Sequence, residues 1–126
     1  MQVPSELHQQ ARRTPGLRLL VLYGSRARGE ASARSDWDFG YVADPDCDIG
    51  GLAAALGAAV GSDDVDLVDL ARASGLLRQR AASEGQLLFE REPGNHERFV
   101  IEAVQFWLDA GRTISESQEA VLEQLG

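Results

Sequence analysis

Two short stretches of the chain combine residue types that can act on phosphate: Gly24-Ser25-Arg26-Ala27-Arg28-Gly29 and, soon after, Ser35-Asp36-Trp37-Asp38. Asp36 and Asp38 open a segment, Asp36 to Val42, in which acids and aromatics alternate. On a strand, residues two apart share a face and lie about 6.6 Å apart along it, from a rise of about 3.3 Å per residue. Carboxylates so spaced can converge on divalent cations such as Mg²⁺. Two such ions can clamp the attacking and leaving oxygens of an in-line phosphoryl displacement. A third carboxylate from a neighbouring strand, about 4.8 Å away, would complete the set. Asp66, in Val65 to Leu70 (VDLVDL), is the candidate, with Asp63, Asp64 and Asp69 close by in sequence. Strand parity separates Asp66 from Asp69, so only one of these two can face the ions.

The glycine-rich stretch supplies the other half of the chemistry. The apolar run Leu17 to Tyr23 (LRLLVLY) leads into Gly24-Ser25 and a helical turn, an arrangement that presents backbone N–H groups to an anion. Gly24 lets phosphates approach the main chain. The Ser25 hydroxyl can donate to a terminal phosphate oxygen, and Arg26 or Arg28 can bring positive charge to the same group. A polyphosphate holder thus stands beside a carboxylate metal site.

The elements that must position these residues are legible from periodicity. Pro4 and Ser5 open a short amphipathic helix that ends near Pro15-Gly16. Leu17 to Tyr23 reads as a strand buried on both faces. A helical turn over 26–29 and a polar loop over 30–35 follow, then the alternating strand Asp36 to Val42. Asp48 caps a helix whose Ile49, Leu52, Ala53, Leu56 and Val60 share a face, closed by Gly61. Val65 to Leu70 is another strand, Ser74 caps a helix through Ala82, and Gln86 to Phe89 is a short strand before the Pro93-Gly94 turn. The last third is helical. Arg98, Glu102, Gln105, Asp109 and Arg112 form one polar stripe, and so much of the remainder is apolar that one core contact does not account for it. Thr113 and Glu116 have the spacing of a capping box for a fresh helix from Ile114 to Leu125. The order predicts an α+β domain with a small mixed β-sheet and flanking helices: one domain over 1–126, with a sheet core over 1–93 and a helical tail over 94–126.

Composition narrows the partners. The net charge of -8 argues against nucleic acid as the main ligand, and leaves metal ions as the natural means of admitting a polyanionic nucleotide. All basic side chains are Arg, with no Lys in the chain, which excludes P-loop, kinase-lysine and Schiff-base chemistry. No run reaches the roughly 18 apolar residues of a membrane span, and Met1 to Gln10 lacks a signal-peptide hydrophobic region. Cys47 is alone, so neither a disulfide framework nor a cysteine metal site is expected. A cytoplasmic protein is the simplest expectation.

Gly24-Ser25, ten intervening residues and Asp36-Trp37-Asp38 resemble the GSx10DxD signature of the DNA polymerase beta nucleotidyltransferase superfamily. The fuller string GSRARG…SDWD resembles the minimal nucleotidyltransferases, or MNT proteins. VDLVDL, the LLRQRAASEGQLLFERE stretch and the helical tail are similar to the antitoxins among them, so the likeness covers most of the chain. The resemblance implies the nucleotidyltransferase fold, with Asp36, Asp38 and Asp66 as ligands of two Mg²⁺ ions. It places Gly24 and Ser25 on the triphosphate of ATP. It further implies a HEPN-domain toxin as partner, a ribonuclease silenced when AMP is transferred to one of its tyrosines. The choice of ATP rests on the resemblance, because no residue in the sequence reads the base.

Rival readings are the same chemistry on a small molecule, as in aminoglycoside nucleotidyltransferases, an antitoxin that acts by direct binding alone, and a nucleotide-sensing domain. Gly40, inside the acidic strand, either admits a ribose closely or marks a bulge. His8 and His96 have no companion ligands and are expected in solvent. Tyr23 and Trp37 are expected in the core, Arg34 on the surface and Cys47 inert. Phe99, Phe106 and Trp107 belong either to the core or to a partner surface.

Overall fold

The computed structural model describes residues 4–29 and 36–109. Helix α1 (Ser5–Arg12), strand β1 (Leu17–Tyr23), the short helix α2 (Ser25–Arg28), strand β2 (Trp37–Ala43) and helix α3 (Ile49–Val60) follow in order. Strand β3 (Val65–Asp69), helix α4 (Gly75–Glu84) and strand β4 (Gln86–Glu90) come next, and a last helix, α5, runs over 95–109. The expected loop over 30–35 and the expected helix over 114–125, with Arg112 and the Thr113–Glu116 box, lie outside the described residues. The fold is α+β, as the element order predicts.

The strands form one mixed sheet in the order β3-β2-β1-β4. β1 is antiparallel to both β2 and β4, and β2 is parallel to β3. An apolar run such as LRLLVLY needs cover on both faces, and β1 receives it. Leu20 and Leu22 join Leu7, Ala11, Phe39, Leu52 and Leu56 in one core under α1 and α3. Leu19, Val21 and Tyr23 join Leu70, Ala81, Phe99 and Ala103 in a second core under α4 and α5. The two helix pairs thus sandwich the sheet through the alternating side chains of its middle strand.

Caps fix the helices where the sequence places them. The Asp48 carboxylate accepts from Gly51 N at 3.0 Å, and Gly61 ends α3 with φ +68°. The Ser74 hydroxyl accepts from Leu77 N at 3.2 Å at the start of α4. His8, expected in solvent, is half-buried instead, its Nδ1 2.7 Å from Leu88 O, so it ties α1 to β4. His96 is also half-buried, its backbone N–H donating to Glu90 Oε2 at 3.0 Å. At the end of the sheet away from Asp38, Asp44 accepts from Arg18 Nε of β1 and from Arg91 Nη1, just beyond β4, at 3.0 Å. The two guanidiniums, Arg91 foremost, hold its carboxyl below the usual carboxylate range.

Gly40 serves neither of its expected purposes. It pairs regularly with Val21 on β1 and Val68 on β3, with no bulge at this point. A Cβ there would come within 2.7–2.9 Å of the Leu70 side chain, which is buried. The missing side chain makes room for Leu70 in the second core. Overpacking of this kind costs about 1–3 kcal/mol. Gly40→Ala is expected to lower unfolding stability by that amount, read as a lower urea midpoint at unchanged slope; an unchanged midpoint would show that Leu70 gives way freely.

Candidate active site

Strand register brings the acids together. Asp38 pairs with Tyr23 on one side and with Asp66 on the other, so the three residues form one row across β1, β2 and β3. Trp37 and Phe39 point into the first core, which leaves Asp38 on the opposite face with Tyr23. Asp36 lies just ahead of β2 and is exposed, because the ladder begins where Trp37 N donates to Asp64 O at 2.9 Å. Asp69 goes elsewhere: its carboxylate accepts from Ala71 N at 3.0 Å, and its charge is felt by Tyr41, which packs against the first core. Asp63 and Asp64 precede β3 and are exposed. The parity argument thus separates Asp66 from Asp69 in the folded chain.

The row is electrically strained. Burial raises the Asp38 pKa above the usual carboxylate value, and the charges of Asp66 and then Asp36 push it further. Tyr23 is pushed up to about 12, first by burial and then by Asp38 and Asp66. Arg80 opposes both shifts, and Arg28 opposes that of Asp38. Among the described residues no three potential ligand side chains converge into a ready cation cage. The donor chemistry nevertheless fits Mg²⁺: all-oxygen, anionic and mutually repelling, so that a hard cation removes the repulsion.

Gly24 joins the glycine-rich loop to this row. Its φ is +76°, a conformation that favours glycine, and a Cβ would meet Asp38 Oδ2 at 2.5 Å. The end of β1 therefore lies directly on the Asp38 carboxylate. α2 starts at once, with Arg28 N donating to Gly24 O at 3.2 Å and no side chain capping its first turn. Ser25 is the first residue of that turn and is half-buried.

The two arginines of the loop part company. Arg26 lays its guanidinium over the Trp37 ring, 4.3 Å from the centroid, on the side of the first core. Arg28 forms an ion pair with Glu84 of α4 at 2.9 Å and stays within electrostatic reach of Asp38. Arg80 was not legible as a member of this neighbourhood. Its signal in the sequence is slight: it precedes the buried Ala81 and lies one helical turn before Glu84, but only the packing of α4 on β1 tells which site that helix flanks.

The fold is that of the polymerase beta nucleotidyltransferase family. Residues 5–94 match the polymerase beta nucleotidyltransferase family, and the chain belongs to it. Over 93 residues it is 39% identical to the protein adenylyltransferase MntA of Aphanizomenon flos-aquae (strain 2012/KM1/D3), a match that covers 64% of this chain and spans 61% of that relative's length. Its fold is similar to that of a chain in a toxin–antitoxin crystal structure with AMP-PNP, at a TM-score of 0.72 and 27% identity, covering 98% of each chain. A second similar structure holds a tri-AMPylated Shewanella oneidensis HEPN toxin in complex with MNT antitoxin (TM-score 0.62, 26% identity, 96% of this chain and 98% of that one).

The contact between Gly24 and Asp38 can be tested alone. Gly24→Ala places a methyl group against Oδ2 and strains the positive φ, so affinity for ATP with Mg²⁺ is expected to fall at least about tenfold, or about 1.4 kcal/mol. Calorimetric titration checks it, with circular dichroism to establish that the variant is folded. Undiminished affinity would remove Gly24 from the site.

Proposed function

We propose that this chain is an Mg²⁺-dependent adenylyltransferase that moves AMP from ATP to a hydroxyl, a tyrosine of a HEPN-domain toxin with which it forms a cytoplasmic complex, and that it thereby acts as antitoxin. The observation that carries the reading is the Asp38–Asp66 pairing beside Asp36, with Gly24 seated on the Asp38 carboxylate. The names of the relatives support the donor and the partner: an adenylyltransferase, a toxin–antitoxin complex with AMP-PNP, and an AMPylated HEPN toxin held by an MNT antitoxin.

Gly24, Ser25 and the first turn of α2 hold the triphosphate, and Arg28 adds positive charge, released in part from Glu84. Arg26, stacked on Trp37, chiefly braces the loop. Asp36 and Asp38 would hold two Mg²⁺ ions and Asp66 would share one of them, which supplies charge neutralisation at the reacting phosphate. The acceptor oxygen attacks the α-phosphorus, the bond from that phosphorus to the bridging oxygen breaks, and pyrophosphate leaves. An Asp66 carboxylate oxygen, exposed at the edge of the row, takes the acceptor proton. Catalysis of this kind is positioning and electrostatics rather than covalent participation by the protein.

Access and partner contact agree with a macromolecular acceptor. Ile101, Val104, Trp107 and Leu108 are exposed on one side of α5, Leu108 to 61%, an apolar surface of the sort that marks a protein interface, whereas Phe106 turns toward Arg78 of α4. Among the described residues no helix is long and apolar enough to cross a membrane. The same surface also favours a second reading, an antitoxin that works by binding alone.

The test incubates the chain and its partner with Mg²⁺ and α-labelled ATP and follows label onto protein. Label is expected on the partner, falling about 10²-fold or more in Asp36→Asn/Asp38→Asn, the scale on which a charge-stabilising group counts. A complex that forms but never acquires label would establish the binding reading; label undiminished in the double variant would remove the acids from the reaction.

A further inference from the structure

A cavity of about 370 Å³ lies at the other end of the sheet, between the strands, α4 and α5. Its apolar floor is Leu19, Val42 and Leu70, and Arg18, Arg78 and Arg98 stand around it with Asn95. Val42 is four residues along β2 from Asp38, about 13 Å at about 3.3 Å per residue, so this is not the aspartate site. Three guanidiniums gathered in a chain of net charge -8 call for an account.

Their partners do not supply one. Arg18 is bound to Asp44. Arg78 has its Nε buried with no hydrogen-bond partner, and its guanidinium lies 5.7 Å from the Phe106 ring centroid. Among the described residues no carboxylate pairs with Arg78 or Arg98, although Glu102 lines the same cavity. The Asn95 Oδ1 accepts from Glu92 N at 2.9 Å, which leaves its amide N–H₂ as a donor. The backbone N–H groups of Asn95, His96 and Arg98 at the start of α5 donate to Glu92 O, Glu90 Oε2 and Gly94 O, so the positive character of the cavity rests on its arginine side chains.

We propose that this cavity is a binding site for a small organic phosphate, separate from the catalytic acids. The phosphate oxygens are received by Arg78, Arg98 and the Asn95 amide, since planar guanidinium forks match such oxygens. The organic body rests on Leu19, Val42 and Leu70. A volume of about 370 Å³ exceeds what a bare phosphate fills and lies at the lower end of the range of about 300–1,000 Å³ usual for small-molecule sites. The inference does not rest on the proposed transfer reaction.

The probe is AMP, titrated in Mg²⁺-free buffer into the chain while backbone amide shifts are followed. Saturable shifts are expected at residues 70–78 and 95–99, retained in Asp36→Asn/Asp38→Asn and weakened at least tenfold in Arg78→Gln and, independently, in the exposed Arg98→Gln. Inorganic phosphate is expected to compete at the same amides, which assigns binding to the head group. Shifts confined to residues 24–28 and 36–38, affinity unchanged in both arginine variants that remain folded, or failure of inorganic phosphate to compete would each overturn the proposal.

Discussion

Carboxylates that repel one another are held side by side across a parallel strand pair, and the rest of the molecule keeps them there. Asp38 and Asp66 occupy paired positions on β2 and β3, and Tyr23 of β1 completes the row. A slip of one residue in either pairing would send an acid to the opposite face of the sheet. The burial of Trp37 and Phe39 under α1 and α3, and of Leu70 beneath α4, fixes that register. Packing energy on both faces therefore sustains an arrangement that is unfavourable on electrostatic grounds alone, one that raises the Asp38 pKa.

The two ends of the sheet divide the work. At one end β1 runs into Gly24, whose bare Cα lets the chain turn against Asp38, and α2 begins directly beyond it. At the other end Asp44 gathers Arg18 and Arg91, which ties β1, the chain after β2 and the end of β4 with opposite charges. Exposed ion pairs of this kind contribute little individually; their geometry matters more, since they close the side of the sheet away from the acids. α4 belongs to both ends, with Ser74 and Arg78 toward one and Arg80 and Glu84 toward the other.

Much of this was legible in the chain. Period-two alternation in DWDFGYV and the apolar run LRLLVLY located the two central strands, because a strand buried on one face or on two leaves a different pattern. Asp48, Ser74 and Gly61 announced helix ends through their own capping chemistry. Strand parity alone puts Asp66 and Asp69 on opposite faces. What stayed hidden depends on tertiary neighbours. Gly40 makes room for Leu70, thirty positions away in sequence. His8 binds a carbonyl on β4. Arg26 prefers the Trp37 ring, and Arg80 joins the acids only because α4 crosses β1. None of these pairings leaves a local period in the sequence.

The central claim is that Asp36, Asp38 and Asp66 are one metal-binding row. Crystals grown with Mn²⁺ and a non-hydrolysable ATP analogue, measured for anomalous scattering, test it most directly. Two Mn²⁺ ions are predicted, both touched by Asp36 and Asp38 oxygens and one also by Asp66, with the triphosphate against Gly24 and Ser25. Ions that bypass these three carboxylates, or that bind at Asp63, Asp64 or Asp69 instead, would contradict it.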